Sequence, residues 1–217
     1  MRIGVLGTGM VGSTIGTKLV GLGNEAMMGS REAGGEKARA WAGEAGAGAS
    51  EGSFADAAAF GELVFNCTAG IHSLAALEAA GPTNLAGKVL VDVANPLDFS
   101  QGFPPSLAVS NTDSVGEQIQ RALPETRVVK ALNTMNCTVM VDPGAVPGDH
   151  AAFLCGEDAA AKAQVAALIG TFGWPPERIV DLGGIASARG MEMYLPLWLE
   201  LMGALGTGTF NIGVMVG

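Results

Sequence analysis

The chain has 217 residues, 48% apolar and only 15% charged, with a formal net charge of −9. That length allows a substantial buried core in one or two domains, and the acidic balance argues against general nucleic-acid binding or docking to an anionic membrane surface. No apolar run reaches the roughly 18 residues a membrane span needs. Cys67, Cys137 and Cys155 are odd in number, far apart and without a CxxC pair, so they read as reduced thiols of a cytoplasmic protein. His72 and His150 have no accompanying carboxylate cluster, and no metal site is expected.

The first segment carries the most information. Arg2 to Leu6 is a short apolar run that reads as a strand, and it feeds into Gly7-Thr8-Gly9-Met10-Val11-Gly12. Thr14, Ile15, Leu19 and Val20 then continue at helical spacing. In a strand–glycine turn–helix unit of this kind, the first glycine permits the turn, the second lets backbone approach a pyrophosphate, and the third allows close packing of helix on strand. The glycines at the N-terminus also interrupt any secretory leader pattern, and the strand reading accounts for the same residues. About 20 residues past such a motif, an NAD enzyme places an acid on the ribose 2′-hydroxyl. Here the chain has Gly29-Ser30-Arg31, and a hydroxyl beside a guanidinium suits a 2′-phosphate. The expected cofactor is therefore NADP(H), with Lys37 adding positive charge beside Glu32 and Glu36.

Onward, Ala33 to Gly46 reads as a helix. A short strand near Gly48 to Ser50 and a helix from Ser53 follow in a stretch of Ala, Gly and Ser with little periodicity. Glu62 to Thr68 is a strand that turns through Ala69 and His72 into a helix ending near Ala80. Val89 to Ala94 is a near-continuous apolar strand closed by Asn95-Pro96, and Arg127 to Leu132 repeats it, closed by Asn133 to Asn136. Leu97 to Asp113 has no regular period and reads as a lid or substrate wall, and Ser114 to Leu123 reads as a helix. Ala151 to Cys155 is expected to be the last strand, with a helix from Asp158 to Phe172 behind it. Met191, Tyr194, Leu195, Trp198, Leu201, Met202 and Leu205 mark an apolar helix interrupted or bent near Pro196, suited to burial against the sheet domain or a second subunit.

Strands alternating with helices imply an α/β fold, a Rossmann-like doubly wound and mostly parallel sheet with a small C-terminal helical part. Residues 1–156 are expected to form the NADP-binding domain, and residues 157–217 a helical segment that covers the crevice and makes a dimer contact. The loops after successive strands then gather Gly7 to Gly12, Thr68 to His72, Asn95 to Leu97 and Asn133 to Asn136 along one carboxyl edge.

Several chemistries are excluded. The single tyrosine, Tyr194, has no lysine one helical turn on, as a short-chain dehydrogenase needs, and Lys162 is the only lysine after residue 157. There is no GxSxG elbow, and Gly81 to Lys88 has the wrong spacing for a P-loop and Val89 where Ser or Thr must bind magnesium. A site poor in acids and bases suits hydride transfer between two cofactors, which needs alignment and exclusion of water more than proton donors.

IGVLGTGMVG, the Gly29 to Arg31 turn, VDVANPLDFS (Val91 to Ser100), VVKALNT (Val128 to Thr134) and LCGED (Leu154 to Asp158) together resemble the coenzyme F420-dependent NADP oxidoreductase family. The ANPL and KALNT segments also resemble the NADPH-binding domain of metalloreductases. The resemblance implies that Thr8, Met10 and Val11 line the pyrophosphate, and Ser30 and Arg31 the 2′-phosphate. Thr68, Ala69 and His72 would meet the nicotinamide ribose, and Asn95, Pro96 and Leu97 the nicotinamide. A deazaflavin acceptor, coenzyme F420, would stack between the Asn133 loop, with Met135, and the turn before the last helix, with Met193. Asn133, Met193 and Leu195 stand where the family pattern has a histidine and small hydroxyl residues. Arg121, Arg127, Lys130 and Arg189 are the cations on hand for that coenzyme's anionic tail. Reduction of another small molecule, or NADPH sensing without turnover, are the alternatives the same residues allow.

Overall fold

A computed structural model describes all residues 1–217. In chain order the elements are β1 (Arg2–Leu6), α1 (Met10–Gly21), β2 (Glu25–Ser30), α2 (Glu36–Ala45), β3 (Ala49–Ser53), α3 (Phe54–Phe60), β4 (Leu63–Asn66), α4 (Gly70–Ala80), α5 (Pro82–Leu85) and β5 (Val89–Asp92). They continue with β6 (Leu97–Asp98), β7 (Ser106–Leu107), α6 (Val115–Ala122), β8 (Arg127–Ala131), α7 (Cys137–Val141), β9 (Ala152–Cys155), α8 (Ala159–Gly170), β10 (Ile179–Asp181), α9 (Ala188–Met193) and α10 (Leu195–Leu205).

Eight strands form one sheet in the order β10-β9-β8-β5-β4-β1-β2-β3. The central pairs are parallel, and the direction changes once, where β9 runs antiparallel to β8. From β1 the chain builds outward to β2 and β3, then returns to place β4 on the other side of β1. That reversal is the switch point of a doubly wound sheet, where the strand ends open a crevice.

Both faces of the sheet are covered, which explains its unbroken apolar strands. Ile3, Val5, Leu63, Phe65, Val89, Val91, Val129 and Ala131 point into one core with residues of α1, α7 and α8. Val64, Leu90 and Val128, the alternate positions, point into the other with α3, α4, α6 and α9. The sheet lies close under α3 because Gly4 has no side chain: a Cβ there would sit 2.3 Å from the Ala57 carbonyl oxygen.

Four details differ from the sequence expectations. Cys155 does not end the last strand, because β10 adds a three-residue edge strand parallel to β9. The expected boundary at residue 156 therefore falls inside the sheet, and only the segment beyond β10 is wholly helical or extended. The helix expected from Ala33 begins at Glu36, because Gly34 adopts φ +76 and Gly35 is not helical. The stretch Leu97 to Asp113 is not irregular throughout, since β6 and β7 pair as an antiparallel hairpin. The interruption expected near Pro196 is present, between α9 and α10 at Tyr194, with Pro196 itself in the first turn of α10, where a missing N–H costs nothing.

Candidate functional site

A cleft of about 1100 Å³ opens at the carboxyl ends of β1, β2 and β4, room enough for a dinucleotide. Gly7 makes its floor, with φ +115, and its N–H donates to the Gly29 carbonyl at 3.0 Å, which ties the first turn to the end of β2. A Cβ on Gly12 would stand 2.0 Å from the Gly7 carbonyl oxygen, whereas one on Gly9 would meet nothing within 4 Å. The third glycine thus serves close packing, and the second leaves the backbone open to a ligand.

Three helices begin at this cleft without a side-chain cap. α1 starts after Gly9, α2 after Gly35 and α4 after Ala69, and none of these residues accepts a hydrogen bond from its helix's first turn. Ser53, Ser114, Asn136 and Asp158 do cap α3, α6, α7 and α8. Orphan N–H groups and the positive end of the helix dipole make such starts natural seats for anions.

Gly7, Thr8, Gly9, Ser30, Arg31, Lys37, Thr68, Ala69 and His72 line the cleft together, joined by Glu32 and Glu36. Arg31 and Lys37 are exposed and belong to none of the ion pairs. The Ser30 hydroxyl donates to the Glu32 carbonyl at 2.5 Å, fixing the turn that presents Arg31. Met10 projects from the start of α1, 71% exposed, while Val11 packs on the core.

Asn95, Pro96 and Leu97 do not line this cleft; they form the next turn along the same edge. The Gly70 N–H donates to the Asn95 carbonyl at 3.0 Å, and a Cβ on Gly70 would lie 2.3 Å from that oxygen, so the two turns are pressed together. Asn95 and Asn133 exchange hydrogen bonds, Nδ2 to backbone carbonyl at 2.8 Å and Nδ2 to Oδ1 at 2.9 Å. The Asn133 Oδ1 is buried with no partner. Met193 is partly exposed, and its sulfur accepts from the Asn111 N–H. Met135 does not reach the crevice: only 5% exposed, it packs in the larger core, because the residue after the buried Thr134 turns inward.

Residues 2–96 match the family described as NADP oxidoreductase, coenzyme F420-dependent. A protein of Arthrobacter sp. FB24, described as a candidate F420-dependent NADP reductase, is 52% identical, with each chain covered completely and a TM-score of 0.93. The chain belongs to the F420-dependent NADP oxidoreductase family. The F420-dependent NADP reductase of Methanocaldococcus jannaschii is 30% identical over 118 residues, 54% of this chain and 52% of that protein. The metalloreductase STEAP3 of Rattus norvegicus is 28% identical over 201 residues, 91% of this chain and 38% of that protein. The chain thus spans about half or less of the length of these two curated relatives.

The family's KALNT and VDVANP segments hold a network that reading the strands one at a time missed. Lys130, fully buried, donates to Asp92 Oδ2 at 2.7 Å, to Glu192 Oε1 at 2.7 Å and to the Ala94 carbonyl at 2.5 Å. Glu192, on α9, also accepts the Val115 and Gly116 N–H groups at the start of α6. The available signal was the register: Asp92 and Lys130 stand opposite each other on neighbouring strands, each a charged position beside buried valines and alanines.

This network and its neighbours correct the expectation about free cations. Lys130 is locked in the core, Arg121 grips Asp113, Arg189 grips Glu117, and Arg127 donates to the Gly87 carbonyl. Cys67 lines the cleft, but burial, reinforced by the Asp92 charge, pushes its thiol well above the ordinary range. It is a neutral wall rather than a nucleophile.

Proposed function

We propose that this family member transfers hydride between NADP(H) and a small acceptor, a deazaflavin of the coenzyme F420 class being the best candidate. The observation that carries the reading is the corner at the end of β2. The uncapped start of α2, the exposed Arg31 and Lys37, and the Ser30 hydroxyl converge where an NAD enzyme would place an acid. The residues present fit NADP(H) on this ground. The open backbone at Gly9 suits the pyrophosphate on α1, and Arg31 and Lys37 suit a 2′-phosphate, on the turn that the Ser30 hydroxyl holds through the Glu32 carbonyl.

When bound, the reduced nicotinamide supplies the hydride. The chain's own contribution is to grip, orient and dry the reacting pair. Thr68, Ala69 and His72 line the cleft and are assigned to the nicotinamide ribose. The hydrogen-bonded Asn95–Asn133 pair, on the next turns along the same edge, is assigned to the nicotinamide. Met193 and the turn before α10 are assigned to the acceptor side, and α9 and α10 to its cover. A homodimer and a cytoplasmic setting belong to the same proposal. They are supported by exposed Leu197 and Leu205 on α10 and by three free thiols.

The test is an acceptor panel of F420-type deazaflavin, flavins, carbonyl compounds and cyclic imines, with NADPH oxidation followed as loss of nicotinamide absorbance. Rapid turnover of the deazaflavin is expected. NADPH binding without turnover of any acceptor would overturn the enzymatic reading in favour of a sensor.

A further inference from the structure

The buried charges extend into the cleft through a line of hydrogen bonds whose direction is forced. Asp92 receives Lys130 on Oδ2 at 2.7 Å, and on Oδ1 it accepts Asn66 Nδ2 at 2.9 Å and the Ala94 N–H at 3.1 Å. An ionised carboxylate only accepts, so the amide of Asn66 must turn its NH2 towards Asp92 and its oxygen away. That NH2 also donates to Ser73 Oγ at 3.0 Å. The Asn66 oxygen lies 2.7 Å from Thr68 Oγ1, and since an amide oxygen cannot donate, the Thr68 hydroxyl gives it its proton. Ser73 Oγ, already an acceptor from Asn66, lies 2.9 Å from Thr68 Oγ1 and can pass its own proton there. Asn66, Ser73, Asp92 and Lys130 are all fully buried, and Thr68 alone reaches the cleft wall.

We infer that Lys130, Asp92 and Asn66 are positioning residues that hold the Thr68 hydroxyl as a hydrogen-bond acceptor towards the bound dinucleotide, so that a ribose hydroxyl must donate to it. Asp92, which accepts Lys130 on one oxygen and the Ala94 N–H on the other, orients Asn66, and Asn66 takes the only proton Thr68 has. The Thr68 lone pair not used by Ser73 is left for a ligand donor. A threonine without this line behind it could rotate and offer either its proton or a lone pair, and part of its binding free energy would go into choosing.

The inference rests on the cleft being a dinucleotide site, and a double-mutant cycle separates the two claims. NADPH dissociation constants are measured by nicotinamide fluorescence, without acceptor, for wild type, Thr68→Val, Asp92→Asn and the double variant. Asp92→Asn is tolerable in the core because Lys130 keeps Glu192 as its counter-charge. Thr68→Val should weaken NADPH about 10-fold, and Asp92→Asn about 3- to 10-fold, the scale of one hydrogen bond. In the Thr68→Val background, Asp92→Asn should change affinity less than about 2-fold, since the group it orients is gone. Thr68→Ser, which keeps the hydroxyl, should restore both the affinity and the response to Asp92→Asn. Independent, multiplying effects in the double variant would overturn the relay and leave Asp92 a packing residue. Should Asp92→Asn fail to fold, Asn66→Ala, which removes the oxygen that takes the Thr68 proton, replaces it in the cycle with the same expected coupling to Thr68. Failure of the wild-type chain to bind NADPH would instead overturn the dinucleotide reading itself, and the relay with it.

Discussion

Asp113 shows how one surface pair should register in stability. Arg121 grips it through two parallel hydrogen bonds of 3.0 and 2.8 Å, and that guanidinium holds the Asp113 carboxyl down at about 2, against an ordinary 3.8. A folded-state pKa below the unfolded one means the contribution is present above pH 3.8 and is lost as the pH falls through about 2. Arg121 is 60% exposed, so solvent limits the gain to about 1 kcal/mol or less. Asp113→Asn should lower the unfolding free energy by that amount at neutral pH, with the deficit closing as the pH approaches 2. Urea titrations at both pH values check this, and a deficit unchanged at low pH would contradict it. Lys130 illustrates the limits of reading single residues. In sequence it is one more cation, and only its register opposite Asp92 and its burial show that it has no face left for a ligand.

The first strand–turn–helix–strand unit was legible because glycine spacing encodes close approach directly. α3 was legible only as far as Ser53, whose hydroxyl and Asp56 form a capping box. β10 was not, since Ile179-Val180-Asp181 is too short for a period and becomes a strand only by pairing with β9. Nor was the reversed direction of β9, because a buried apolar run looks the same either way. The join between α9 and the sheet was equally hidden, as it depends on Glu192 meeting Lys130 across 62 positions of chain. Removing the central charge should therefore loosen several elements at once. Lys130→Met leaves Asp92 and Glu192 buried without a cation and should cost about 3–5 kcal/mol. Adding Glu192→Gln should recover part of the loss. Denaturant unfolding reads both, and a Lys130→Met chain as stable as wild type would contradict the network's structural role.

The molecule is an acidic body in which Arg31 and Lys37, members of none of the ion pairs, stand together at one corner. Of the charge balance of −9, little is local to the end of β2, where Arg31 and Lys37 face Glu32 and Glu36 across the same cleft. Leu197 and Leu205, both more than half exposed, give α10 an apolar outer face. A second copy covering that face is the expected state. Sedimentation velocity should give about twice the 21.9 kDa chain mass, falling to the single mass for Leu197→Glu with Leu205→Glu, and a monomer for the unaltered chain would contradict it. The crevice is read from topology and helix starts that a sequence can announce, whereas the pairing of Asn95 with Asn133 exists only once the two strands lie side by side.

The most direct test is calorimetric titration of the protein with NADPH and with NADH, before and after Arg31→Ala. NADPH should bind at least about 10-fold more tightly than NADH, the scale of one charge-assisted contact, and Arg31→Ala should erase most of that preference while leaving NADH nearly unchanged. Equal affinities in the unaltered protein, or a preference that survives Arg31→Ala, would contradict the 2′-phosphate corner on which the proposed function stands.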